Sequence, residues 1–156
     1  MLLYRQMYWT DWGQPAAIER ASMDGSSHVV LHNSNIGWPN GLTIDYATQT
    51  LYWVDAQLDR IETSSTAGFG RRVLSTTHIY HPFSIGFYEG TLYWTDWQVK
   101  AVLKAPVNQP SNVAVVISNL LLDPMTIRVV SQRRQPLSKT NHDMYGAIVL
   151  VLILNS

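Results

Sequence analysis

The sequence predicts an all-β protein: a partial β-propeller of about three four-stranded antiparallel blades stacked around an axis. Three observations predict it. An aromatic motif recurs, as MYWTDWG at 7–13, LYWVDAQ at 51–57 and LYWTDWQ at 92–98, with 44 residues from Tyr8 to Tyr52 and 41 from Tyr52 to Tyr93. A period of that size belongs to arrays of supersecondary units. Short alternating runs are separated throughout by Gly, Asn, Asp and Pro, which reads as strands and turns. No stretch sustains a 3.6-residue apolar period, so helices are not expected.

Each unit has four parts. A segment opened by proline or asparagine comes first, as in WPNGLTIDY (38–46) and HPFSIGFYEG (81–90). The aromatic strand follows after a turn, in QTLYWVD (49–55) and GTLYWTD (90–96). A third strand is read in AAIERASM (16–23), LDRIETSS (58–65) and KAVLKAPV (100–107). A short β-branched run closes the unit, in HVVL (28–31), RRVL (71–74) and NVAVVIS (112–118). A lone four-stranded sheet leaves two faces in water, and radial stacking buries them best.

Composition narrows the function. Eleven basic and eleven acidic side chains balance, so no global field steers the chain toward nucleic acid or an anionic membrane. Six Trp and eight Tyr suit a packed core or a protein-binding face. There are no cysteines. The uncharged run GAIVLVLIL (146–154) is shorter than the about 20 residues of a membrane-spanning helix, and no signal-peptide run opens the sequence.

The motif pairs Tyr8 and Trp9, Tyr52 and Trp53, and Tyr93 and Trp94 are adjacent on strands, so one ring of each faces either side of its sheet. They are read as inter-blade packing, because an array needs large rings to fill the wedge between sheets. Asp11, Asp55 and Asp96 end the same strands, where a carboxylate accepts backbone N–H groups and pins a turn. These acids recur singly, and no His/Asp/Glu set stands at metal-ligand spacing, so no metal, cofactor or catalytic residue is assigned. A metal-dependent propeller hydrolase remains the rival of a different class.

Trp12 and Trp97 follow the motif aspartate where a loop begins, and Trp38 opens WPNG. Loops on a rigid scaffold carry binding residues, and Trp leads the hot-spot types. The plainer alternative is that each indole lies over the edge of the next blade. Asn40 has two readings: an amide offering donor and acceptor to a peptide, or one half of an Asn-Gly turn.

Tyr-Trp-Thr-Asp at 8–11 and 93–96, with Tyr-Trp-Val-Asp at 52–55, resembles the YWTD repeat of low-density lipoprotein receptor class B modules. IERASMDGSS (18–27), WPNGLTIDY (38–46) and SQRRQP (131–136) fit the same family, while the double glycine of kelch and the Gly-His and Trp-Asp pairs of WD40 are absent. The resemblance implies the last three blades of a six-bladed ring over residues 1–136, with 137–156 a divergent tail outside the propeller. It implies a non-enzymatic extracellular module, similar to the first propeller of the Wnt co-receptor type. Such a parent binds Wnt ligands or their secreted antagonists at the cell surface and carries an EGF-like module downstream. An endocytic lipoprotein receptor would show nearly the same repeats, and a truncated product without function is a further alternative. By resemblance the ligand face comprises Trp12, Trp38, Asn40 and Trp97, with His81 and Met125 beside them. His81 is also the side chain whose charge would change at endosomal acidity. The segment 123–130 is expected to present a bare strand edge, and the isolated chain to self-associate.

Overall fold

The computed structural model describes residues 6–130 and 148–152, all of it strand and connection. The first sheet holds β1 (Gln6–Asp11), β2 (Ala17–Ser22) and β3 (Val29–His32). The second is a four-stranded meander of β4 (Pro39–Asp45), β5 (Thr50–Asp55), β6 (Arg60–Ser65) and β7 (Arg72–Ser75). The third repeats it with β8 (Pro82–Tyr88), β9 (Thr91–Asp96), β10 (Ala101–Pro106) and β11 (Ala114–Ile117). Finally β12 (Thr126–Val130) pairs antiparallel with β13 (Ile148–Leu152), Ile127 opposite Val151.

The blade assignment therefore holds, with one difference: the first sheet has three strands among the described residues. The expected bare edge at 123–130 does not hold, because β13 supplies a ladder to β12. β13 lies within the apolar run of the tail. The rest of 131–156 lies outside the described residues, as does the SQRRQP stretch.

The repeat extends to backbone detail. The third strand shifts register against the fourth at the same step in each blade: Ile18/Glu19, Ile61/Glu62 and Val102/Leu103. These are bulges, which bend and twist the outer edge of each sheet. Left-handed residues recur at matching turns, Gln49 and Glu89 between the first and second strands, Asp59 and Lys100 between the second and third.

First strands of successive blades pack on one another, β4 on β8 and β8 on β12. Gly41 permits the first contact, since a Cβ there would stand 2.8 Å from Ser84 Cα. Asn40–Gly41 is accordingly not the Asn-Gly turn of the alternative reading: it lies within β4, at a register shift between Pro39 and Gly41.

Two apolar clusters fill the wedges. Between blades one and two, Ile18, Leu51 and Trp53 are buried, flanked by Tyr8, Leu31, Ile36, Leu42 and Ile44. Between blades two and three, Trp94 is buried with Tyr52, Val54, Ile61, Ile85 and Phe87. Alternation along the strand decides the partners. Tyr52 stacks forward on Phe87, ring centres 5.7 Å apart, whereas Trp53 stacks back on His32 at 5.4 Å. Burying a Trp removes enough apolar surface that truncation costs about 3–5 kcal/mol, so these rings dominate blade cohesion.

Charge contributes at one junction, which the sequence did not announce. Glu62, 2% exposed, accepts a two-pronged bond from Arg71 (Nε to Oε2 2.8 Å, Nη2 to Oε1 3.0 Å) and a further one from Arg60 Nε at 3.0 Å. The two guanidiniums also donate to the linker carbonyls, Arg71 to Ser34 and Asn35, Arg60 to Asn35. Arg71 lies over the Trp53 ring, its Cζ 5.7 Å from the ring centre. The carboxylate pairs with two cations, and Arg60 Nε, Arg60 Nη2 and the Arg71 donors each have an acceptor, the condition under which a buried ionic cluster is tolerated.

Candidate functional site

The motif aspartates build the rim on which the candidate site stands. Asp55 is fully buried, and its carboxylate accepts the N–H groups of Gly37 (2.7 Å), Trp38 (3.0 Å), Gln57 (3.0 Å) and Leu58 (3.1 Å). Asp96, equally buried, accepts those of Tyr80, His81, Gln98 and Val99. Each carboxylate thus clamps the linker entering its own blade to the turn leaving its second strand. In blade one Asp11 accepts only Gly13 N, at 2.7 Å, among the described residues. Four N–H donors to one carboxylate compensate its burial.

Three tripeptides stand at equivalent places, the first two held by these clamps: Trp38-Pro39-Asn40, His81-Pro82-Phe83 and Asp123-Pro124-Met125. The carbonyl of each central proline receives a side-chain donor from the preceding blade. Trp12 Nε1 donates to Pro39 O at 3.2 Å, Asn40 Nδ2 to Pro82 O at 2.9 Å, and Trp97 Nε1 to Pro124 O at 3.2 Å. Blade two has Ala56 where the others have Trp12 and Trp97, and there the Asn40 amide fills the role. The indoles therefore act as inter-blade ties and as surface at once.

An aromatic row runs across these loops. Trp38 meets His81 edge-on at 6.2 Å, His81 tilts against Trp97 at 5.5 Å, and Phe83 stacks on Trp97 at 4.4 Å. Trp12 is 57% exposed and Trp38 48%, while His81, Phe83, Trp97 and Met125 are half-buried. Trp38, His81 and Trp97 are in ring contact in sequence, Trp12 and Asn40 join through the proline carbonyls, and Met125 adjoins Pro124. Asn40 has its donor engaged and its Oδ1 buried without a partner among the described residues.

Phe83 was not singled out by sequence reasoning. The signal was available, since Phe83 holds the place of Asn40 and Met125 after the proline. Near the row, burial pushes the Asp59 carboxyl above its ordinary value, with His81 pulling the other way. Among the described residues no three His, Cys, Asp or Glu side chains are grouped as a metal ion would require, and no helix is long and apolar enough to cross a membrane.

Comparison with known proteins agrees with this geometry. Residues 5–46 match the family model described as low-density lipoprotein receptor repeat class B. The chain is 47% identical over 126 residues to human low-density lipoprotein receptor-related protein 4, covering 80% of this chain and 6% of that protein. It is 37% identical over 127 residues to human low-density lipoprotein receptor-related protein 5-like protein, covering 80% and 48%. Against the Drosophila melanogaster vitellogenin receptor Yl it is 45% identical over 96 residues, covering 62% and 5%. Among solved structures, a chain of a nidogen/laminin complex superposes with a TM-score of 0.74 at 31% identity, covering 80% of this chain and 48% of that one. The chain therefore spans less than half the length of each of these proteins. It is a run of low-density lipoprotein receptor class B (YWTD) repeats, folded as part of a β-propeller.

Proposed function

We propose that the chain is an extracellular, non-enzymatic recognition module of a lipoprotein receptor-related protein, whose aromatic row binds short peptide segments of secreted ligands. The observation that carries the reading is the contact series Trp38–His81–Trp97–Phe83, held on loop ends by buried carboxylates. Fixed rings with one apolar and one polar edge give contact area at low ordering cost, the character of binding hot spots. The similarity to low-density lipoprotein receptor-related proteins favours the Wnt co-receptor type, with a Wnt ligand or a secreted Wnt antagonist as partner. Catalysis is not part of the proposal: Asp55 and Asp96 each accept four backbone N–H groups, which leaves them poorly placed as ligands or bases.

Surface plasmon resonance of the chain against a secreted Wnt antagonist tests the reading. Trp38→Ala is expected to weaken binding by about 2 kcal/mol or more, the hot-spot range, while leaving the melting transition in place. Unchanged affinity would remove Trp38 from the site. The similarity to the vitellogenin receptor favours a second reading, an endocytic receptor propeller, in which the same face holds a cargo protein or a neighbouring module of its own receptor.

A further inference from the structure

Corresponding places at the two blade junctions are filled very differently. In the second blade Arg60 pairs with Asp55 and Glu62 with Trp53 along the ladder; in the third, Ala101 pairs with Asp96 and Leu103 with Trp94. Arg71, which precedes β7, corresponds to Val113, which precedes β11. The charged cluster that plugs the first junction is thus replaced by Ala101, Leu103 and Val113. What stands there is a cavity of about 280 Å³, floored by those three and rimmed by His78 and Tyr80, whose Nδ1 and hydroxyl lie 3.2 Å apart.

The geometry points to this cavity as a binding site for one uncharged planar ring bearing an N–H or O–H donor, of indole or phenol size. The neighbouring junction shows the shape of the occupant. There the planar guanidinium of Arg71 lies against the blade and donates to the carbonyls of Ser34 and Asn35. The linker repeats one left-handed step: His78 and Asn35 each stand three residues before the equivalent His81 and Trp38, with φ of 52° and 49°. The polar side of this cavity is therefore the same linker, which here also supplies His78 Nδ1 and the Tyr80 hydroxyl as acceptors at the rim. The opposite wall differs, because Leu103 stands where Glu62 neutralises the guanidinium. A cation would be desolvated without a counter-ion. An uncharged ring keeps the planar fit and the N–H or O–H donor without that penalty. Apolar cavities of roughly 150 Å³ already hold benzene, so the volume suffices. The ring can arrive as a free small molecule or as a Trp or Tyr side chain of a protein partner.

Titration of the full chain with fluoroindole, followed by fluorine NMR and by the amide shifts of the protein, tests the site. A saturable shift is expected, with the amide changes centred on His78, Tyr80 and Val113. Competition by N-acetyltryptophanamide identifies a side chain as an admissible source; fluoroindole binding without that competition assigns a free ring. Rebuilding the neighbouring cluster with Ala101→Arg, Leu103→Glu and Val113→Arg is expected to weaken binding at least tenfold. The milder Ala101→Leu, which only narrows the floor, should weaken it several-fold and serves if the triple variant fails to melt cooperatively. Absence of saturation, amide changes elsewhere, undiminished binding in Ala101→Leu, or displacement by methylguanidinium would each overturn the proposal.

Discussion

The indole nitrogen of Trp97 lies 3.2 Å from the carbonyl oxygen of Pro124, so a surface ring of one blade is also a hydrogen-bonded tie to the next. Trp97→Phe keeps an aromatic ring against Phe83 but removes the N–H together with part of the indole's area. The expected loss is at least about 1 kcal/mol, the net worth of one neutral hydrogen bond. Urea unfolding decides it: no loss would make the indole purely a surface group.

The motif ring that faces backward is more costly to remove. Trp53 is fully buried against His32 and the first blade. Trp53→Ala is expected to destabilise by about 3–5 kcal/mol through lost burial and an unfilled cavity. A thermal unfolding curve that overlays the parent would contradict the core assignment.

The ionic cluster is expected to be strongly non-additive. Glu62→Ala alone leaves two half-buried guanidiniums facing one another and should cost about 3–5 kcal/mol. Removing Arg71 as well, in Glu62→Leu with Arg71→Val, copies two of the three apolar residues of the third blade, leaves Arg60 its bond to Asn35, and should restore part of that loss. A double-mutant cycle from Glu62→Leu, Arg71→Val and the pair measures the coupling in unfolding free energy.

Acidity should act on the first junction through His32. Burial first, then the charge of Arg71, hold its imidazole below the ordinary value of 6.5, and Glu62 opposes them. The folded chain therefore binds this proton less readily than the unfolded one. The stability involved is fully present above about pH 6.5 and is lost as pH falls from there through the lowered folded value. His32→Gln can keep a bond to Ser64 and removes the titration. The fall in urea midpoint between neutral and mildly acidic pH should be smaller in that variant, and an equal fall would clear His32 of the effect.

What the sequence by itself determined is whatever repeats. The period of the Tyr-Trp motif, the two-residue alternation and the Gly, Asn, Asp and Pro breaks place every strand of the three blades. They also put Tyr52 and Trp53 on opposite faces, because a strand offers successive side chains to opposite sides. The pinning of the following turn by Asp11, Asp55 and Asp96 comes from the same position at the strand end. Tertiary structure decided what does not repeat. Asn40 reads from its neighbours as a turn residue, yet it is the donor to Pro82 only because Ala56 leaves that carbonyl without an indole. Nothing local sets Arg71 apart within RRVL, yet it closes a junction because Glu62, nine residues earlier, faces it across the bulge. Phe83 gains its place in the aromatic row from Trp97, which follows the adjacent strand β9. Such roles depend on which group stands opposite across a ladder or a wedge, and local propensity holds no record of that.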